Sequence, residues 1–390
     1  MKLLHVVASY LPAARYGGTV VSAHGLCRAL AARGHDVHVY TTSVNGPDDS
    51  DVPHGVPVDM DGVKVWYFRC TSPRFLYRAP GLGRALRAKV HEFDVVHTQA
   101  VYLWPMWVAA RAARRAGVPY IVSPRGMLER DLISRKRPFL KALWIAAIER
   151  HNLERAAAIH VTSMREANEA AALGLNLPRM HEIPNGLADD DDMSGPVSPA
   201  ISRLIAGGPF VLFLGRLNWK KGIDRLLAAA VRLPDVRVVV AGNDEDNYLR
   251  VVETLSARHD LAGRVHLTGD VRGADKAALL QHAALLALPS YSENFGNVVI
   301  EAMAAGRPVI VSKDVGLAAM VEEQRVGLVV DGDAGGLAAA IARVLNDAAL
   351  AQSMGERGRS VARRDYSWAA AAADMEALYA SVHRIREGAA

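Results

Sequence analysis

The sequence predicts an α/β protein with two doubly wound, mostly parallel sheets. Three observations carry that prediction. Short, continuous apolar runs such as KLLHVVA (2–8) recur along the chain, each followed by a turn and a helix-length segment. Runs of this kind belong to strands covered by helices on both faces. The alternation breaks once, at Asp189–Asp192, and then resumes. A chain of 390 residues also exceeds one ordinary core, which favours two domains.

In order, KLLHVVA is the first strand, interrupted only by His5. TVVSAHGLCRALAARG (19–34) reads as a helix stopped by Gly34, the usual C-terminal residue. DVHVYTT (36–42) and FDVVHT (93–98) are strands. A helix follows around Trp107 to Arg115, then strand PYIVS (119–123), a long helix from about Pro138 to Arg155, and strands AAIHVT (157–162) and HEIP (181–184). The acidic run Asp189–Asp192 and the proline-bearing SGPVSPA (194–200) read as a linker. The second series runs through PFVLFLGRL (209–217), VRVVVAG (236–242), RVHLTG (264–269), ALLALPS (284–290), PVIVS (308–312) and VGLVV (326–330). The expected domains are 1–188 and 199–365, joined by 189–198. A last helix, about Ser367 to Arg386, has no strand after it and is free to cross back to the first domain.

Composition narrows the class. Hydrophobic residues make up 51% and charged residues 22%, a globular balance. No apolar run approaches the ~18–20 residues of a membrane span. The N-terminal run reads as a buried strand rather than a signal peptide. Cys27 and Cys70 form neither a disulfide framework nor a metal-binding spacing, so a reduced, cytoplasmic chain is expected. The net charge is +5, but residues 69–150 hold 16 Lys/Arg against 5 Asp/Glu, a surplus of 11, which leaves −6 for the rest. That block also carries Phe75, Tyr77, Tyr102, Trp104, Trp107, Phe139 and Trp144, follows Trp66, Tyr67 and Phe68, and is densest in cations over 134–141. Cations with aromatics suit an anionic membrane surface, placing the chain peripherally at the inner face of the cytoplasmic membrane. Solvated helix faces over core aromatics would use the same residues. Nothing resembles a nucleic-acid reading motif.

In open parallel sheets, ligands bind beyond the carboxyl ends of the strands, and three motifs fall there. Tyr16-Gly17-Gly18-Thr19 lies between the first strand and first helix, where glycine lets a ligand approach backbone and a helix N-terminus favours an anion; an ordinary tight turn would look the same. Arg216 and Lys221, in LGRLNWKKG (214–222), flank the loop after the first strand of the second domain. A planar fork and a point charge there suit phosphate. In SENFGNVVIEAMAAG (292–306), Glu293 precedes the Gly296 turn, Asn297 is placed to cap the following helix, and Glu301 lies one helical turn later. Backbone N–H groups near Phe295 to Val298 are free for an anion or hydroxyl. A carboxylate accepts two hydrogen bonds from a vicinal diol, and Glu301 among Val298, Val299, Ile300, Ala302 and Met303 needs a partner. His97, at the end of FDVVH, reads first as a structural histidine.

These motifs together resemble the group 1 (GT4-type) retaining glycosyltransferases. The most specific part is two glutamates eight apart around Phe295-Gly296, and the likeness runs from Gly17 to Ser312. It implies a GT-B fold, two Rossmann-like domains facing a cleft, and metal-independent transfer of a sugar from a UDP-, GDP- or ADP-sugar with no other cofactor. Glu301 would bind ribose hydroxyls, and Arg216 and Lys221 the diphosphate. Glu293, with the backbone of Phe295 and Gly296, would hold the donor sugar. Gly17 and Gly18 would line the phosphate or acceptor side, and the backbone around Val271 would meet the base. Many relatives carry a histidine in a segment like Ser123-Pro124-Arg125-Gly126; here Arg125 stands in its place, leaving a changed hydroxyl contact or an added cation at the diphosphate. No Asp-x-Asp motif stands on a cleft loop. The implied acceptor is a saccharide, read as lipid-linked in cell-surface polysaccharide synthesis. A non-catalytic sugar-nucleotide-binding protein and a sugar-nucleotide epimerase of the same fold remain alternatives.

Overall fold

The computed structural model describes residues 1–13, 17–129, 144, 148–187, 195–245 and 247–389. Tyr16, the cation-rich 134–141, the Asp189–Asp192 run and most of the helix expected from Pro138 lie outside the described residues. The end of that helix, Arg150–Glu154, is helical. The chain divides into two compact units: Met1–Gly186 with the last helix from Trp368, and Leu187–Ser367.

The first unit is built on β1 (Lys2–Ser9), β2 (Asp36–Thr42), β5 (Pro57–Met60), β6 (Val63–Phe68), β7 (Val95–Gln99), β8 (Tyr120–Ser123), β9 (Ala158–Val161) and β10 (Met180–Glu182), with a small β3–β4 hairpin (Val44–Asn45, Asp48–Asp49) apart. The sheet order is β10-β9-β8-β7-β1-β2-β6-β5. Neighbours are parallel except β5 and β6. β5 shows the alternating exposure of an edge strand, while β7, β8 and β9 are buried throughout. The β5–β6 hairpin is absent from the sequence reading, although VKVWYF carries the β-branched and aromatic residues of a strand. As a result Tyr67 and Phe68 belong to the core rather than to a surface patch, and Lys89 lies over the Trp66 ring at 5.0 Å. The helix expected around Trp107 starts earlier, at Trp104, because Pro105 is accommodated in its first turn.

The last helix, Trp368–Ala389, packs on Gly18–Ala32. Small residues make the contact possible: a Cβ on Gly25 would lie 2.3 Å from the Trp368 ring, and one on Gly186 2.4 Å. Arg33 Nε donates to Glu376 at 2.6 Å across the same contact. Tyr379 is fully buried between this helix and the sheet.

The second unit has β11 (Val211–Leu214), β12 (Val238–Ala241), β13 (Val265–Gly269), β14 (Leu285–Leu288), β15 (Val309–Ser312) and β16 (Gly327–Val330), all parallel, in the order β13-β12-β11-β14-β15-β16. The chain builds β12 and β13 outward on one side of β11, then returns to place β14 on the other. The first unit reverses in the same way between β1 and β7. At such a reversal the loops diverge to opposite faces and leave a crevice at the carboxyl edge.

Candidate functional site

In the second unit the residues singled out from sequence fall at that reversal. The loop after β11 is fastened to the loop after β12: Leu217 N donates to Asn243 O at 2.9 Å and Glu245 N to Leu217 O at 3.1 Å. Gly242 lets them abut, since a Cβ there would lie 1.9 Å from Gly215 O. Asn218 Oδ1 then accepts from Lys220 N at 3.0 Å and starts the single turn Trp219–Lys221. Gly222 closes it at φ 67, where only glycine fits: a Cβ would sit 2.0 Å from Pro289 O of the loop after β14. Tyr291 N donates to Lys220 O at 2.6 Å and completes the seam between those two loops. Arg225 supports it from below, with its guanidinium 3.6 Å from the Tyr291 ring centre and donating to Pro289 O at 3.1 Å.

Across this seam Lys221 Nζ donates to Glu293 Oε2, with both side chains largely buried. Glu293 is held at its backbone as well: its N donates to Asp314 O at 3.0 Å, and its O accepts from Gly316 N at 2.8 Å. Arg216 meets a different carboxylate, Glu245 Oε1, at 2.6 Å, and Asn218 Nδ2 binds the other oxygen at 2.6 Å. Glu301 Oε1 accepts from Lys276 Nζ at 2.8 Å. The two cations and two acids singled out from sequence thus enter three ion pairs, Lys221–Glu293, Arg216–Glu245 and Lys276–Glu301. Glu245 and Lys276 have no signal in local spacing. Only the apolar neighbourhood of Glu301 demands a cation, and it arrives from the helix Gly273–His282, 25 residues away in sequence.

Phe295 is buried against Tyr366, and Val271 is buried in the core, so each has only backbone to offer a ligand. Asn297 does not cap its helix. Gly296, at φ 96, occupies the cap position and Asn297 is the first helical residue, because the left-handed turn places glycine where the cap must be.

In the first unit, Gly17 opens the Gly18–Ala32 helix with no side-chain cap. At the carboxyl edge of β8, Arg125 sits at φ 55. Its guanidinium donates to two neutral amides, Asn185 Oδ1 at 2.9 Å and Gln99 Oε1 at 2.8 Å. Gln99 leads inward: its Nε2 lies 2.9 Å from His5 Nδ1, His5 Nε2 3.2 Å from Tyr379 Oη, and Tyr379 Oη 2.7 Å from His97 Nδ1. His97 Nε2 then lies 2.6 Å from Ser123 Oγ, Ser123 Oγ 2.6 Å from His160 Nδ1, and His160 Nε2 2.9 Å from Ile183 O. A carbonyl only accepts, so His160 carries its proton on Nε2, and the assignment propagates. Ser123 donates to His160, His97 Nε2–H to Ser123, Tyr379 to His97, His5 Nε2–H to Tyr379, and Gln99 to His5. One direction of donation runs unbroken from Arg125 to Ile183 O, with all three histidines neutral. Burial, then the Arg125 charge, pull His5 and His160 down to about 3, and His97 is held well below its ordinary range. His97 thus has both ring nitrogens engaged within the core.

Among the described residues no group of three or more His, Cys, Asp or Glu is placed to hold a metal, and both cysteines are free and buried. Among the described residues no single helix is long and apolar enough to cross a membrane.

Residues 198–361 match the profile of the glycosyl transferases group 1, and 17–186 that of a glycosyl transferase 4-like domain. The chain is 30% identical over 400 residues to a D-inositol 3-phosphate glycosyltransferase of Xylanimonas cellulosilytica, covering 95% of this chain and 93% of that one. The chain belongs to the group 1 glycosyltransferases. Sucrose-phosphate synthase from Thermosynechococcus elongatus superposes on this glycosyltransferase with a TM-score of 0.80 at 25% identity, covering 99% of this chain and all of that one. HepE of Anabaena, solved with UDP-glucose, gives 0.76 at 21% identity, covering 98% of this chain and all of that one. The glycosyltransferase has the GT-B fold, with two parallel-sheet Rossmann-like domains.

Proposed function

We propose that this glycosyltransferase transfers a hexose-type sugar, with retention and without a metal or other cofactor, from a nucleoside-diphosphate donor bound by its second unit. The observation that carries the reading is the placement of Lys221–Glu293, Lys276–Glu301 and Arg216–Glu245 on the helices and loops that follow β11 to β14, at the sheet reversal. Lys221 and Arg216 would meet the diphosphate. Glu301 would take the ribose diol, the backbone around Val271 the base, and Glu293 with the Phe295–Asn297 backbone the sugar.

As the bond from the anomeric carbon to the phosphate oxygen breaks, that oxygen keeps the electron pair. Positioned cations stabilise the developing charge more than the ground state. The acceptor oxygen bonds to the anomeric carbon on the same face, and its proton passes to the departing phosphate. Glu293 and Glu301 are each engaged by an ammonium, which suits binding better than nucleophilic attack. HepE, solved with UDP-glucose, supports trying uridine donors first. A thermal-shift screen of UDP-, GDP- and ADP-sugars tests the reading. A ligand at 100 times its dissociation constant stabilises by about 2.7 kcal/mol, and no shift with any of them would refute donor binding.

For the acceptor we propose a lipid-linked saccharide of cell-surface polysaccharide synthesis, met at an anionic membrane. Its support is the exposed Phe75 with exposed Arg69 and Arg78 nearby in sequence, followed by a helix that presents Arg84, Arg87 and Lys89. Flotation with anionic and neutral vesicles at low salt tests this; equal recovery with both would remove it.

A further inference from the structure

We infer that Arg125 is an anion receptor, and that the buried chain from Gln99 to Ile183 exists to hold its charge ready for a phosphate-class oxyanion of a substrate. The inference rests on the glycosyltransferase reading but assigns a site in the other unit.

A buried guanidinium is ordinarily neutralised by a carboxylate, since a desolvated cation left unpaired is costly. Among the described residues Arg125 hydrogen-bonds only to the amide oxygens of Asn185 and Gln99, and its Nε is buried without a hydrogen-bond partner. The Glu166 carboxylate that acts on it from nearby is itself taken up by Gly126 N at 2.6 Å and by Thr162 N at 2.8 Å. Among the described residues no carboxylate touches the guanidinium directly, and Glu166 offsets its charge only from nearby.

The donor chain explains how that charge is held. In every link the acceptor end faces Arg125: Gln99 Oε1, then His5 Nδ1, Tyr379 Oη, His97 Nδ1, Ser123 Oγ and His160 Nδ1. Dipoles aligned this way strengthen one another and solvate the cation from inside the sheet. The chain ends on a backbone carbonyl, so it offers no exit for a proton, and a relay function is excluded by its own direction. What it leaves unused is Nε–H and one N–H on each terminal nitrogen.

The position is right for a ligand. Val7 of β1, Gln99 of β7 and Ser123 of β8 form one row across the sheet, and Arg125 lies two residues beyond that row on the carboxyl side. Ser9, also two residues beyond it, has a buried Oγ with no hydrogen-bond partner. Gly17 and the bare start of the Gly18–Ala32 helix follow at the same edge. Arg125 holds a left-handed φ that a non-glycine residue adopts at a cost, as residues at ligand sites often do. The anion is a phosphate group of a substrate that reaches the first unit.

The test is calorimetric titration of the full chain and its Arg125→Gln, Arg125→Lys and Arg125→His variants, using UDP and, separately, inorganic phosphate with UDP saturating. Loss of a hydrogen bond to a charged group predicts affinity weakened roughly tenfold to a hundredfold. Weakening in the UDP arm identifies the donor diphosphate; weakening in the phosphate arm alone identifies an acceptor phosphate. Arg125→Lys should recover part of the loss, since it keeps the charge and drops the fork. Unchanged affinity in both arms for a variant with native near-UV circular dichroism overturns the inference. So does failure of all three variants to fold, which would make Arg125 a structural cation. If the wild type binds no UDP but binds phosphate through Arg125, the donor reading fails and this one stands.

Discussion

The Lys221–Glu293 pair offers the sharpest perturbation, because stability and catalysis respond to it differently. Lys221→Met keeps the stem and removes the charge. Glu293, with its side chain 18% exposed, is then a mostly buried carboxylate without its ammonium. An exposed pair is worth about 0–1 kcal/mol, and breaking a fully buried one costs about 3–5 kcal/mol; the intermediate burial places this variant at roughly 1–3 kcal/mol. For a unit of this size each kcal/mol lowers the melting temperature by about 2–4 °C. The double variant Lys221→Met with Glu293→Gln removes the orphaned charge, so much of the stability should return. Catalysis should not. Removing one donor aimed at developing negative charge lowers kcat by roughly 10²–10³-fold, and the second substitution removes a sugar contact as well. The assay is release of nucleoside diphosphate from the donor that emerges from the thermal-shift screen, as transfer or slow hydrolysis, with melting of each variant recorded alongside. A folded Lys221→Met enzyme that keeps kcat/KM within threefold of wild type would refute the role. Recovery of activity in the double variant would show that the single one failed through its stranded carboxylate.

Two further predictions concern the buried chain of the first unit. Tyr379→Phe removes the hydroxyl between His5 and His97 and leaves two ring nitrogens unsatisfied, so the first unit should lose about 1–3 kcal/mol per stranded group in urea unfolding, with the second unit's transition unmoved; a shift below 0.5 kcal/mol would contradict the donor chain. The three neutral histidines also set an acid limit. Their folded pKa values lie below the unfolded value of 6.5, with His5 and His160 at about 3, so the unfolded chain binds more protons between those values. Stability is therefore unaffected by them above pH 6.5 and falls as pH drops from 6.5 toward 3, by up to about 1.4 kcal/mol per pH unit for each histidine. Near-UV circular dichroism should show the first unit unfolding on this descent, and the slope should lessen in His160→Gln. An acid limit identical in that variant would argue against it.

The parallel strands were legible because each is a run of apolar residues that only a doubly covered sheet explains. VKVWYF was missed for the opposite reason: its strand lies next to the edge, where alternation weakens and a lysine faces solvent. Glu293, Glu301, Lys221 and Arg216 stood out through their spacing on loops. Their partners did not, because Glu245 and Lys276 reach the site from the units after β12 and β13, and no local pattern ties residues 25–29 apart. The histidine chain had a visible trace: KLLHVVA, FDVVHT and AAIHVT each carry one histidine in an otherwise apolar run. Only the strand order, which sets His5 opposite His97 across β1 and β7, and a tyrosine arriving 282 residues after His97, turn three isolated anomalies into one hydrogen-bonded chain.

The two units hold their cations by opposite means, and the difference bears on how each would act. Lys221 is neutralised by Glu293, so it costs little to keep in an empty site, but any diphosphate must compete with that carboxylate for it. On the proposed roles the competition is resolved by the substrate itself: the sugar hydroxyls offer Glu293 new donors while the phosphate takes the ammonium, and both partners are satisfied only when a complete sugar-nucleotide is present. A bare nucleoside diphosphate would separate the pair without compensating Glu293 and should bind less tightly through this contact. Arg125 faces less competition, because its hydrogen bonds go to amide oxygens and the Glu166 carboxylate acts on it only from nearby. An oxyanion reaching it would meet the attraction of a cation that Glu166 offsets only in part. On this account Lys221 and Glu293 discriminate for the whole donor, whereas Arg125 responds to the anion alone, whichever substrate brings it.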